Sequence, residues 1–178
     1  MSTTKKYLIQ HFNNTLELYA SNKKKYTSSW FMDFGKLGSE IFNSEEQQIY
    51  SINKKFKFWK WKMVFTINDR SEDIIELISL NNRKTIYSVE VHQVMYVIKI
   101  HYKKKISIFK NGDKIAEFDA SIQDENQYHT TQLHLLDIKD LEWCFLLFSC
   151  LKIGETEQNS KIVLSSQKQL EINEDPWI

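Results

Sequence analysis

The chain has 178 residues with 24 Lys and Arg against 23 Asp and Glu, a net charge of +1, so no global electrostatic bias points to nucleic acid. That length buries one sizeable core without disulfides or metals, and no composition break or linker divides it, so one domain over 1–178 is expected. Four Gly and one Pro beside five Trp, eight Tyr and eleven Phe suit strands and hairpins turned by Asn, Asp and Lys.

Met1 to Tyr7 is polar and leads into only three apolar positions before Gln10, short of a secretory core, so a cytoplasmic address is expected. Strand-like segments then follow one another: Tyr7 to Phe12, Lys25 to Phe34, Gln48 to Asn53, Phe56 to Asn68, Asp73 to Leu80, Thr85 to Val91, Val94 to Tyr102, Ile106 to Lys110, Ile115 to Asp119 and Thr130 to Leu136. Ten short strands at this spacing predict a sandwich or a barrel.

Within the fourth segment, Trp59, Trp61, Met63, Phe65 and Ile67 alternate with Lys60, Lys62, Val64 and Thr66, which predicts one dry face and one mostly wet face. The adjacent Phe58 and Trp59 break that frame, and a bulge or strand boundary is expected there. The same stretch is the most suggestive surface in the sequence. Lys54, Lys55, Lys57, Lys60 and Lys62 are interleaved with Phe56, Phe58, Trp59 and Trp61, a mixture that suits an anionic head group with aromatics dipping into the interface. The competing interpretation is an ordinary strand with a solvated lysine face and a buried aromatic face. Lys103, Lys104 and Lys105 form a second basic cluster, read as a solvated turn or a protected sheet edge. If both clusters meet in space, binding gains weight.

Asn111-Gly112 is the best turn signal, because both residues tolerate the positive φ of a type I′ hairpin. A two-residue loop would face Ile108 with Ile115, whereas a three-residue loop would match Ile106 with Phe118 and Ile108 with Ala116. Asn68-Asp69-Arg70 and Asn81-Asn82-Arg83 read as further turns.

Leu141 to Ile153 breaks the strand pattern. Asp140 is placed to cap a helix, Glu142 lies in its first turn, Lys152 in its last, and Gly154 follows as a stop. Ten of its thirteen residues are apolar or cysteine and they run all the way round, so no face is left for water. Such a helix must be enclosed by protein or lipid. Thirteen residues rise about 20 Å, short of a bilayer span, which selects enclosure by the chain's own sheet. The expected fold is therefore mainly β: a closed or nearly closed antiparallel barrel of about twelve strands around one central hydrophobic helix near 140–153. Lys161 to Ser165 is expected to complete the wall, and the tail after Lys168 to be weakly structured.

The order of Gly38-Ser39-Glu40-Ile41-Phe42-Asn43, Gln48-Ile49-Tyr50-Ser51-Ile52, Phe65-Thr66-Ile67-Asn68-Asp69 and Ile74-Ile75-Glu76-Leu77-Ile78, with the helix after it, resembles the tubby C-terminal-like fold, which includes the LURP-one-related and phospholipid scramblase families. The resemblance covers about Trp30 to Lys161 and implies a twelve-strand barrel around the helix, with phosphoinositide or membrane binding in some members. No lipid-binding motif of tubby proteins carries over residue by residue. The scramblase calcium segment and palmitoylated cysteine stretch have no counterpart.

Catalytic and metal chemistry find little purchase. Cys144 and Cys150 lie six positions apart on the helix, on separated faces, and read as buried thiols. His129 and His134 fall on opposite faces of one strand, and His92 and His101 differ in register, so no zinc spacing emerges. No P-loop, GxGxxG, GxSxG or HExxH string occurs. The leading expectation is a non-enzymatic module without cofactor that binds anionic lipid or a membrane surface peripherally through Lys54, Lys55, Lys57, Trp59, Lys60, Trp61 and Lys62. The alternatives are a small-ligand binder or enzyme with its site at the barrel rim, or a protein-interaction domain.

Overall fold

Strand follows strand with short turns between them, and each pairs with its sequence neighbour. The computed structural model describes residues 4–71, 73–121, 129–155 and 171–177. Twelve antiparallel strands make a closed barrel: β1 (Lys5–Phe12), β2 (Thr15–Ala20), β3 (Lys23–Asp33), β4 (Lys36–Asn43), β5 (Gln48–Lys57), β6 (Lys62–Asn68), β7 (Ile74–Ser79), β8 (Ile86–Val91), β9 (Val94–Ile100), β10 (Lys105–Lys110), β11 (Asp113–Asp119) and β12 (His129–Leu135). Closure comes from β1 pairing with β12, from Lys5 against Leu135 to His11 against His129. The expected closing strand, Lys161 to Ser165, lies outside the described residues.

Because every neighbour is antiparallel, the connections fall on two rims. Of the described turns, the upper rim holds 13–14, 34–35, 58–61, 80–85 and 101–104. The lower rim holds 21–22, 44–47, 69–73, 92–93, 111–112 and the passage 136–140 into helix α1 (Leu141–Lys152).

The helix runs inside the barrel from the lower rim to the upper. Phe148 stacks on Phe118 of β11 at 4.5 Å and meets His11 of β1 edge-on, Phe145 lies against Tyr26 of β3, and Trp143 against both Tyr50 of β5 and Tyr96 of β9. Partners on strands all around the wall require a central position. Between them Ile9, Leu18, Ile41, Ile52, Ile67, Leu77, Ile98, Ile108 and Leu133 point inward with at most 1% exposure, so the interior is filled.

Polar groups fix the ends of the helix. The Tyr50 hydroxyl donates to Glu142 at 2.7 Å and the Tyr26 hydroxyl at 3.2 Å. Burial, reinforced by the Glu142 carboxylate, pushes the Tyr26 phenol up to about 12. Asp140 does not cap the helix as its position suggests. Its carboxylate accepts from Lys110 Nζ at 2.7 Å, and Asp137, at the head of the 3-10 turn Ile138–Asp140, accepts from the Lys139 amide instead. At the far end the Lys54 ammonium donates to the Ile153 carbonyl at 2.6 Å. Gly154 follows at φ +77°, with Leu37 of β4 where a Cβ would point.

Two strands escaped the sequence pattern as separate segments, β2 and most of β4, and the segment Phe56 to Asn68 is divided between β5 and β6 with a turn between them. The Asn111-Gly112 hairpin combines the loop length of one expected register with the pairing of the other, and Ile108 does not face Ile115. Its loop has two residues, Lys110 facing Asp113, and a bulge between Ile108 and Phe109 restores Ile108 to Ala116 and Ile106 to Phe118.

Candidate functional site

The stretch singled out as a basic and aromatic strand is a hairpin tip on the upper rim. β5 ends at Lys57, which faces Lys62 at the start of β6, and the four residues between them turn the chain. Phe58–Lys60 forms a 3-10 turn and Trp61 closes it in the left-handed region at φ +51°. The expected alternation therefore fails for Trp59 and Trp61, which do not share the dry face of Met63, Phe65 and Ile67. A turn breaks the two-residue period. The result is exposure: Trp59 97%, Phe58 65%, Trp61 49%.

These rings hold one another rather than the core. Phe56 and Trp61 meet edge-on at 5.3 Å, Phe58 and Trp61 at 5.9 Å, and Phe58 and Trp59 at 6.0 Å. Lys84, from the neighbouring 80–85 turn, places its ammonium 4.4 Å over the Phe56 ring and 5.6 Å over Trp61.

Of the lysines, Lys55, Lys57 and Lys60 are exposed and Lys62 is half-buried at the tip's base, with Lys57 sharing Glu76 at 3.4 Å across the surface. Lys54 stands apart. It points inward to the end of the helix, where burial lowers its pKa, and it lies 5.8 Å over Phe65. The second basic cluster is on the same rim, in the turn Tyr102–Lys104 between β9 and β10, with Arg83 and Lys84 in the turn between the two clusters. Only Lys103 and Lys104 are exposed there, Lys105 being drawn down to Asp119 at 3.7 Å.

A second polar cluster, invisible in the sequence, occupies the outer wall. Glu117 of β11 is fully buried beside Lys114, and the described C-terminal segment 171–177 covers both: the Trp177 amide donates to Glu117 at 3.1 Å and the Lys114 ammonium lies 5.0 Å over the Trp177 ring. Lys114 also bonds the Asp175 carbonyl. Above them Glu171 accepts from Thr85 at 2.9 Å, and its carbonyl lies 3.3 Å from His101 Nδ1, while His101 Nε2 meets Ser107 Oγ at 2.9 Å. Residues 171–177, expected to be weakly structured, are thus tied to the wall. The Ser107–His101 pair is buried under this strap, which makes it part of a structural network and not an open nucleophile.

Both cysteines lie wholly inside, where burial raises their thiols far above the ordinary range. Among the described residues no group of three or more His, Cys, Asp or Glu is arranged to hold a metal. A hollow of about 370 Å³ low on β1, β2 and β12 is lined by Lys6, Tyr7, Gln10, Tyr19, Asn22 and Gln132, with no carboxylate, histidine or cysteine. No described helix is long and apolar enough to cross a membrane. No family model, curated protein or solved structure matches the chain.

Proposed function

We propose that this protein is a non-enzymatic module that docks peripherally on an anionic membrane surface through the β5–β6 tip. The observation carrying this reading is the exposure of Phe58, Trp59 and Trp61 at a hairpin tip whose base is ringed by Lys55, Lys57, Lys60 and Lys62. Amphipathic rings settle at the level of lipid head groups, and each nearby lysine adds about 1 kcal/mol of attraction to an anionic leaflet. Nothing in the barrel's own packing calls for those rings to face outward. Lys54 has no part in this surface, because its amino group serves the helix.

Membership of the tubby-like group is proposed on the same footing. It is supported by the twelve-strand wall and by the position of the helix after β12. A barrel whose inward side chains and central helix are buried also directs attention to the rim.

Sedimentation with phosphatidylcholine vesicles, with and without phosphatidylserine, tests the reading. Retention is expected on the anionic vesicles at low salt and is expected to fall as salt screens the lysines. The combined Lys60→Glu and Lys62→Glu variant should abolish it. Equal retention of that variant and the native chain would sink the proposal.

A further inference from the structure

The upper rim carries a second exposed apolar tip that no lysine-rich pattern marks. In the β3–β4 hairpin Phe34 is 98% exposed, Met32 69% and Phe31 44%. Because β4 pairs with β5, this tip stands beside the β5–β6 tip, two strand spacings or about 10 Å away. Its turn is Phe34-Gly35, with both residues at positive φ, +44° and +76°. Asn, Asp or Gly suits such a turn, and phenylalanine strains it. An aromatic that is both strained and fully exposed contributes nothing to folding, which points to a use outside the barrel. Phe31 is anchored beneath it, against Gly38 of β4, where any Cβ would meet its ring at 2.9 Å.

Among the described turns, basic residues gather on the upper rim. Described upper-rim turns carry Lys60, Arg83, Lys84, Lys103 and Lys104 with no acid among them, Glu155 beyond the helix being paired with Lys152 at 2.7 Å. Lower-rim turns carry Glu45, Glu46, Asp69, Asp73 and Asp137 against Arg70 and Lys139, Asp140 being paired with Lys110, and the exposed Lys5, Lys6, Lys23 and Lys25 at the strand ends beside them leave that rim mixed in charge. An anionic surface draws these basic upper-rim turns toward it.

We infer that the β3–β4 tip is a second membrane prong, and that the two tips enter an anionic bilayer interface together with the barrel axis upright and the lower rim in water. This rests on the membrane reading above and adds the second prong and the orientation to it. The prongs divide the work. The β5–β6 tip supplies net positive charge and aromatic rings, whereas the β3–β4 tip supplies apolar surface, with the exposed Asp33 and Lys36 facing each other at its base and cancelling in net charge.

The full chain carrying an environment-sensitive fluorophore at Phe34→Cys, Trp59→Cys or Met95→Cys tests this, since Cys144 and Cys150 are buried and do not compete for label. On phosphatidylcholine–phosphatidylserine vesicles, probes at 34 and 59 should shift to the blue and be quenched by nitroxide on the lipid chains, while the lower-rim probe at 95 should not change. Unlabelled Phe34→Asn should lose about tenfold in retention while its melting temperature holds or rises, because Asn accepts the turn's φ. An aqueous probe at 34 beside an inserted probe at 59 would overturn the second prong, as would a drop in melting temperature with retention unchanged. A response at 95 would overturn the orientation. Failure of the unlabelled native chain to bind anionic vesicles would instead remove the membrane reading itself, and this inference with it.

Discussion

Two regions of this chain are equally rich in aromatic side chains and meet opposite fates. Helix α1 carries Trp143, Phe145 and Phe148 into the middle of the barrel, where each ring meets a partner from a different strand. The β5–β6 tip carries Phe58, Trp59 and Trp61 into water, where their ring partners are residues of the same tip. Hydrophobic residue type alone does not decide burial. The helix is enclosed because it has no polar face and a wall built to its length, whereas the tip lies beyond the last paired residues of its hairpin, Lys57 with Lys62.

The difference can be broken from either side, and the largest effect belongs to the helix. Phe148→Ala removes a fully buried ring stacked at 4.5 Å on Phe118 and should cost about 3–5 kcal/mol in denaturant unfolding. Acid should act next. Burial, then Lys152, lowers His11 from 6.5 to about 3, and burial also lowers His101 and His134, so the folded chain holds these groups neutral where the unfolded chain protonates them. Stability is then full above pH 6.5 and is lost as pH falls from 6.5 toward 3. Melting temperatures across that window should drop, and His11→Gln should flatten the slope between pH 6.5 and 4.5, above the range where Glu117, a carboxylate held low despite its burial by Lys114 and the Trp177 amide, begins to contribute.

Lys54→Met separates the two regions more finely. Losing the donor to the Ile153 carbonyl should destabilise the fold by about 1–3 kcal/mol and leave vesicle retention of the folded protein unchanged. A loss of retention without a loss of stability would return Lys54 to the rim surface. Smallest in stability is Trp59→Ser, expected within about 0.5 kcal/mol of the native chain because the ring is 97% exposed. Its retention on anionic vesicles should nonetheless fall, and a destabilisation comparable to that of Phe148→Ala would show that the tip is structural.

The legible parts of the fold were those with a strong local period or strong punctuation. The helix was readable from its length and all-round apolarity, and the Asn111-Gly112 hairpin from its turn chemistry. β2 was missed because Thr15 to Ala20 is short and lacks Gly or Pro beside it. The division between β5 and β6 was misplaced because the turn is built of Phe, Trp, Lys and Trp, residues that ordinarily belong in strands. The break in alternation at Phe58 and Trp59 was the available signal, and it marked the right place. Nothing local marked the Lys114–Glu117 pair or the tail that covers it, because their partners are about 60 residues apart in the chain.

The amino-acid sequence by itself determined that a sheet must close around one hydrophobic helix, since a helix with no polar face and too few residues for a bilayer has no other stable surroundings. It also set out the lysines and aromatics from Lys54 to Lys62. Tertiary structure alone decided which of them face outward: Lys54 turns in because the helix ends beside it with an open carbonyl, and Trp59 turns out because the hairpin ends before it. The gathering of Lys60, Arg83, Lys84, Lys103 and Lys104 on one rim was likewise decided by strand order, which sends alternate connections to opposite ends of the barrel.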